Sequence, residues 1–168
     1  MTNEDVINEA VTSACTSLFA DYSLPLERVE IRRLDKEFDI VFCGIVGFTG
    51  DQMRGTLLLA TSGEPLGRTL PSTDASLREW IAELSNQLLG RIKNKLVAHG
   101  VTLHMSTPAV LRGQHIAPVS STPLVPHTFS SGGGVVCVWF DVEVPAGVDL
   151  TQVTDTSNVM SEGSGFLF

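Results

Sequence analysis

The chain has 168 residues, 43% of them hydrophobic and 18% charged, and a net charge of -8. This length suits one domain with a substantial core, and the negative charge argues against nucleic acid or an anionic membrane as a main partner. No apolar run approaches the ~20 residues of a membrane span, and the acidic start MTNEDVINEA lacks the apolar region of a signal peptide, so a cytoplasmic protein is expected. Cys15, Cys43 and Cys137 each sit in an apolar pattern and read as reduced core residues.

In chain order, residues 3 to 21 predict an amphipathic helix, with Val6, Ile7, Ala10, Val11, Ala14 and Leu18 on one face. Leu24-Pro25-Leu26 ends it. Glu27 to Leu34 alternates as a strand, Asp35-Lys36 offers a turn, and Phe38 to Phe48 reads as the next strand. Gly50-Asp51 has hairpin chemistry before a strand from Met53 to Ala60. Gly44 and Gly47 interrupt the Phe38 to Phe48 strand, and glycine there marks a bulge or a close backbone approach. Thr61 to Ser72 carries Gly63, Pro65, Gly67 and Pro71, so no regular element is expected in it.

The stretch from Asp74 to Gly100 has the clearest helical periodicity. Ile81, Leu84, Leu88, Ile92 and Leu96 share one side, flanked by Trp80 and Leu89. Thr73 or Asp74 is the expected cap, and Gly100 the stop. The opposite side carries Glu83, Asn86, Gln87, Gly90, Lys93 and Asn94. Glu83 and Asn86 stand three residues apart and point the same way from adjacent turns. A glycine inside a helix costs about 1 kcal/mol relative to alanine, which has no return on a wet face unless another backbone comes close. The pattern therefore fits either an ordinary solvated face or a docking surface with two polar probes.

After this helix, Val101 to Met105 and Ala109 to Ile116 predict short strands around Pro108, and Ala117 to Gly134 reads as loop. Val135 to Val144 alternates, with Val136, Val138, Phe140 and Val142 on one face. Cys137, Trp139, Asp141 and Glu143 form a mixed second face, which suggests a strand near an edge or interface. Residues 1-148 are expected to form the single domain and 149-168 a partly flexible tail, with Phe166-Leu167-Phe168 docked somewhere.

Glu83-Leu84-Ser85-Asn86 with Gly90 and Lys93 resembles the E-x-x-N helix of the CheX and CheC chemotaxis phosphatases. The run Asp39 to Gly50 into Gly55-Thr56-Leu57-Leu58-Leu59 is similar to the strand pair before that helix. Ser106 to Gly113 resembles the short strand after it. The resemblance implies a CheC-like α+β fold, with an antiparallel or mixed sheet, long helices packed on it and a weak helix-strands duplication. It implies one site per chain, because Asn8-Glu9 in the first helix has the wrong order and spacing. Relatives usually carry an extra helix where 61-72 lies, and the sequence reads as lacking it.

The implied activity is hydrolysis of the aspartyl phosphate of a CheY-like response regulator. Glu83 and Asn86 would be the catalytic pair, with Gln87, Gly90, Lys93 and Asn94 at the partner contact. No cofactor of its own is expected, since Mg2+ would sit on the regulator, and the chain is expected to be a homodimer. A non-catalytic binding module on the same scaffold is the alternative. Other chemistries find no support. His99, His104, His115 and His127 lack metal-ligand spacing, and there is no Gly-x-Ser-x-Gly elbow.

Overall fold

The structure is a computed structural model and describes residues 1–30, 40–114, 116, 118–119 and 124–153. The elements run α1 (Asn3–Asp21), β1 (Glu27–Val29), β2 (Phe42–Thr49), β3 (Arg54–Thr61), α2 (Gly63–Arg68), α3 (Leu77–Val97), β4 (His104–Met105), β5 (Ala109–Arg112), β6 (His127–Ser130) and β7 (Val135–Glu143). The strands form one sheet in the order β1-β6-β7-β3-β2-β4, and β5 also pairs with β2. Every pairing is antiparallel. This is an α+β fold.

Both long helices have strong start signals. Thr2 and Asp5 close a capping box on α1: Asp5 N–H donates to Thr2 Oγ1 at 3.1 Å and Thr2 N–H to Asp5 Oδ2 at 2.7 Å. α3 starts later than the sequence suggested. Ser76 is its cap and accepts from Glu79 N–H at 3.1 Å. Ser76-Leu77-Arg78-Glu79 matches the serine-x-x-glutamate signature, and it prevails over Thr73 and Asp74. At the other end Gly100 takes φ 78°. Its N–H bonds Val97 O, and that of Val101 bonds Leu96 O, which satisfies the last carbonyls.

The helices cover one face of the sheet. Leu84, Leu88, Ile92, Val11, Leu18 and Phe19 pack with Val46, Leu57, Leu59, Phe129, Val138 and Phe140 in one core. The other face has a smaller cluster of Ile40, Cys43, Ala60, Val135, Cys137 and Trp139, with Ile116 and Leu124 packed against it. β7 is thus central, between β3 and β6, not near an edge. Its second face is mixed because it is buried at Cys137 and Trp139 and open at Asp141 and Glu143. The cysteines are unpaired and buried. Burial pushes the Cys43 thiol up to about 11 and that of Cys137 to about 12, so neither is a thiolate at neutral pH.

The two glycines of β2 have separate reasons. A Cβ on Gly44 would overlap Ser85 Oγ and lie 3.1 Å from the Ile81 carbonyl oxygen, so α3 rests on bare backbone there. Gly47 stands opposite the break between β4 and β5. Ser106 fills that break, with Gly47 N–H donating to Ser106 Oγ at 2.9 Å and Ser106 N–H to Gly47 O at 2.9 Å.

Four further expectations change. The stretch 61–72 does hold a helix, α2. Pro65 falls in its first turn, where a backbone N–H has no helical partner to lose, and the β6–β7 turn braces it through Ser131 Oγ donating to Glu64. The helix thought to be missing is therefore present in short form. Residues 117–134, read as loop, contain β6, whose four residues have one large apolar side chain and owe their conformation to β1 and β7 on either side. The strands after α3 shorten to β4 and β5. The domain also runs past residue 148: Leu150 is fully buried, with its N–H on Asn3 Oδ1 at 2.8 Å and its carbonyl on His99 Nδ1 at 2.6 Å. Residues 31–39, where β1 was expected to continue and the next strand to begin, lie outside the described residues, as does 154–168 with Phe166-Leu167-Phe168.

The duplication is visible in the topology. Each half contributes a helix, an edge segment and a hairpin, β2–β3 and β6–β7, and the hairpins meet at the β3–β7 centre. Each edge segment pairs with the other half's hairpin: β1 on β6, and β4 and β5 on β2.

Two stability outcomes follow from this packing. Gly44→Ala is expected to lose about 1–3 kcal/mol by overpacking against α3, with part recovered in the Gly44→Ala/Ser85→Ala double variant, measured by denaturant unfolding. His127 is buried beside Arg28, and its imidazole is held down at about 4, while Thr12 Oγ1 contacts its Nδ1 at 3.3 Å. A proton therefore binds the unfolded chain more readily, and stability from this group is lost as pH falls from 6.5 toward 4. His127→Gln should flatten that part of the stability-versus-pH curve.

Candidate functional site

α3 positions the candidate residues by its seating on β2. With Leu84, Ser85 and Leu88 held against the core, the helix turns Glu83 outward, exposed, and Asn86 beside it, half-buried. Gln87 and Lys93 are also half-buried. Gly90 and Asn94 are buried, and Asn94 carries an interaction of its own. The polar side is narrower than the helical wheel suggested, because from Leu88 to Ile92 every residue of α3 is buried. Gly90 lies within that buried turn. Gly90 and Asn94 are therefore not on the open surface where the sequence reading put them.

α1 accounts for part of that enclosure. Arg91 is buried and donates through Nη2 to Asp21 at 2.6 Å and through Nη1 to Ser17 Oγ at 3.3 Å. The guanidinium is 8% exposed, the carboxylate 58%, so the pair closes the helix seam with one oxygen side toward water. One residue on, Tyr22 Oη donates to Gln87 Oε1 at 2.9 Å, and Gln87 Nε2 donates to Glu83 Oε1 at 2.9 Å. Tyr22 meets the Trp80 ring edge-on, with centroids 4.9 Å apart, and Trp80 Nε1 donates to Thr69 Oγ1 after α2 at 2.9 Å. Sequence reading missed Tyr22, Arg91 and Thr69. Tyr22 and Thr69 lie far along the chain, in segments whose polar residues looked like ordinary loop or helix-end chemistry.

The first helix has a counterpart. Laying Val6 on Trp80 brings the buried Ile7, Ala10, Val11, Ala14, Cys15 and Leu18 onto Ile81, Leu84, Ser85, Leu88, Leu89 and Ile92, all buried. Glu9 then falls on Glu83 and Thr12 on Asn86. The hydroxyl at the asparagine position is already engaged, with Arg28 Nη1 at 2.6 Å and His127 Nδ1 at 3.3 Å. A Glu-x-x-Asn pair thus occurs once in this duplicated pair of helices, on α3.

Among the described residues no three His, Cys, Asp or Glu side chains gather as a metal site, and no helix is long and apolar enough to cross a membrane. What the α3 surface can do is present one acceptor-only carboxylate and one amide that both donates and accepts, on a rigid helix.

An antiparallel sheet with two related helices on one face is the CheC-like fold. The family described as chemotaxis phosphatase CheX matches residues 42–127, just over half of the chain, and the chain belongs to it. No curated protein matches significantly. Among solved structures, the chemotaxis protein CheX from Vibrio vulnificus is similar in fold, at 18% identity and a TM-score of 0.70, covering 82% of this chain and 99% of its own. A CheC-like superfamily protein from Shewanella sp. PV-4 is similar at 24% identity and a TM-score of 0.68, over 84% of this chain and 99% of its own. The CheX of a CheX–CheY–BeF3–Mg2+ complex from Borrelia burgdorferi is similar at 20% identity and a TM-score of 0.61, over 80% and 96% of the two chains.

Proposed function

We propose that this chain hydrolyses the aspartyl phosphate of a CheY-like response regulator, with α3 entering the regulator's active site. The observation that carries the reading is the exposed Glu83 beside the half-buried Asn86 on α3 of a chain in the CheX family. The similar Borrelia burgdorferi CheX occurs with CheY, Mg2+ and BeF3, and BeF3 is a chemical mimic of a phosphoryl group. An amide is no base at neutral pH, and one carboxylate makes no pocket, so the remaining groups must come from the partner. Mg2+ on the regulator's own acidic pocket would offset the phosphoryl charge.

In this reading Asn86 accepts from and donates to a water and the phosphoryl group at once, holding the water in line with phosphorus. The water oxygen bonds to phosphorus, the phosphorus–oxygen bond to the regulator's aspartate breaks, and the aspartate leaves as carboxylate. The water's protons go to the phosphate formed and to solvent. Glu83 pairs with a regulator lysine and sets the register of the docked helix. Lys93 lies about three turns along α3 from Glu83 and adds a cation at the rim of the contact.

The two probes fail differently. Asn86→Ala is expected to lower dephosphorylation by roughly two to three orders of magnitude, with binding to a BeF3-loaded regulator little changed. Glu83→Lys sets like charges together, so binding weakens along with turnover. Both variants should keep wild-type stability within ~0.5 kcal/mol, since neither side chain is in the core. Wild-type phosphate release by Asn86→Ala from a genuine phosphorylated substrate would overturn the reading.

The chain is further proposed to be a homodimer joined through a sheet edge. β5 pairs only with β2 among the described residues, and its Leu111 is 49% exposed. An edge of this kind is a template for a second strand. Light scattering at micromolar concentrations should give twice the chain mass, and Leu111→Lys should shift it to monomer.

A further inference from the structure

Glu83 is exposed, and an exposed glutamate with three rotatable bonds spends ordering entropy each time it engages a partner. In this chain that side chain is held before any partner arrives. We infer that Tyr22 and Gln87 are positioning residues that pre-orient the Glu83 carboxylate for the regulator's lysine, an inference that rests on the phosphatase reading above.

The polarity of the relay follows from Glu83. An ionised carboxylate only accepts, so Gln87 must turn Nε2 toward Glu83 Oε1, as it does at 2.9 Å. That leaves Gln87 Oε1 on the far side, where it can only accept, and the Tyr22 phenol supplies the proton at 2.9 Å. Each bond fixes the direction of the next. The chain ends in packing that resists rotation: Tyr22 lies edge-on to Trp80, and Trp80 is buried and bonded to Thr69. Tyr22 itself follows a helix end shaped by Ser23 at φ 60°, with Leu24 N–H bonded to Phe19 O and Ser23 N–H to Ala20 O. One carboxylate oxygen is committed inward. Oε2 has no hydrogen bond among the described residues and is presented to a cation from outside. Gln87, placed by sequence at the partner contact, acts in this arrangement from within the chain.

The geometry also separates positioning from chemistry. Asn86 has no part in the relay, so loosening it affects how the regulator docks and not how the water is held. Tyr22→Phe keeps the ring against Trp80 and removes only the hydroxyl. Gln87→Met keeps the side chain's length and removes both polar atoms.

The test uses the full chain with a CheY-like regulator phosphorylated by acetyl phosphate. Tyr22→Phe and Gln87→Met are each expected to raise KM about two- to tenfold, as the loss of one hydrogen bond allows, with kcat within about twofold of wild type. In a Glu83→Ala background the added Tyr22→Phe change should have no further effect on KM, since the group it orients is gone. An unchanged KM in both single variants, with KM raised by Glu83→Ala, overturns the positioning inference and leaves the phosphatase reading standing. An equal loss from Tyr22→Phe with and without Glu83 also overturns it, because the effect then comes from packing on Trp80. If Asn86→Ala keeps wild-type kcat, the phosphatase reading falls and this inference falls with it.

Discussion

The seating of α3 on β2 at Gly44 is the contact on which the rest of the arrangement depends. Ser85 Oγ bonds the Ile81 carbonyl at 2.7 Å and so lies flat against its own helix, and Gly44 offers no side chain beneath it. The helix can therefore approach the sheet closely in its first half. That approach fixes rotation as well as height, because Leu84 and Leu88 drop into the core on the same side. Glu83 and Asn86 then have one direction available to them, outward. Interiors packed to near-crystal density do not absorb small changes in such a contact, and so the two polar residues inherit the rigidity of the core beneath.

A second seam runs between α1 and α3, and its chemistry is polar. Arg91 to Asp21 and Ser17, and Tyr22 to Gln87, join the end of α1 to the middle of α3. These bonds lie along the α1 side of a turn of α3 whose residues, 88–92, are all buried. The enclosure takes residues 88–92 out of solvent, so the exposed side chains on α3, Arg78, Glu79 and Glu83, lie in its first half. The interleaved sheet supports the same geometry: because each edge segment pairs with the opposite half's hairpin, the halves cannot separate without breaking the sheet. Duplication gave two helices of equal burial pattern. The carboxamide stands on α3 alone, while at the matching place on α1 Thr12 is tied to Arg28 and His127.

The amino-acid sequence determined what depends on local periodicity and local signals. α1 agrees at both ends, Asn3–Asp21, because its apolar spacing and capping residues all act within a few residues of each other. The core of α3, its stop at Gly100, the β2–β3 hairpin, β7 and the outward direction of Glu83 were legible for the same reason. The family resemblance rested on such short blocks in a fixed order.

Tertiary structure decided the rest, and each case has a long-range cause. β6 exists because β1 and β7 complete its hydrogen bonds, and α2 because the β6–β7 turn braces a segment that its glycines would leave loose. β7 became a central strand because β6, hidden within a loop-like stretch, lies beside it. Gly90 and Asn94 belong to the polar side by helical angle alone, yet the all-round burial of that turn takes them out of solvent. Tyr22 gained a place beside Gln87 because the end of α1 packs on the middle of α3, an adjacency between residues 22 and 87 that no local pattern encodes. Periodicity says which way a side chain points from its own helix, and only packing says what stands in front of it.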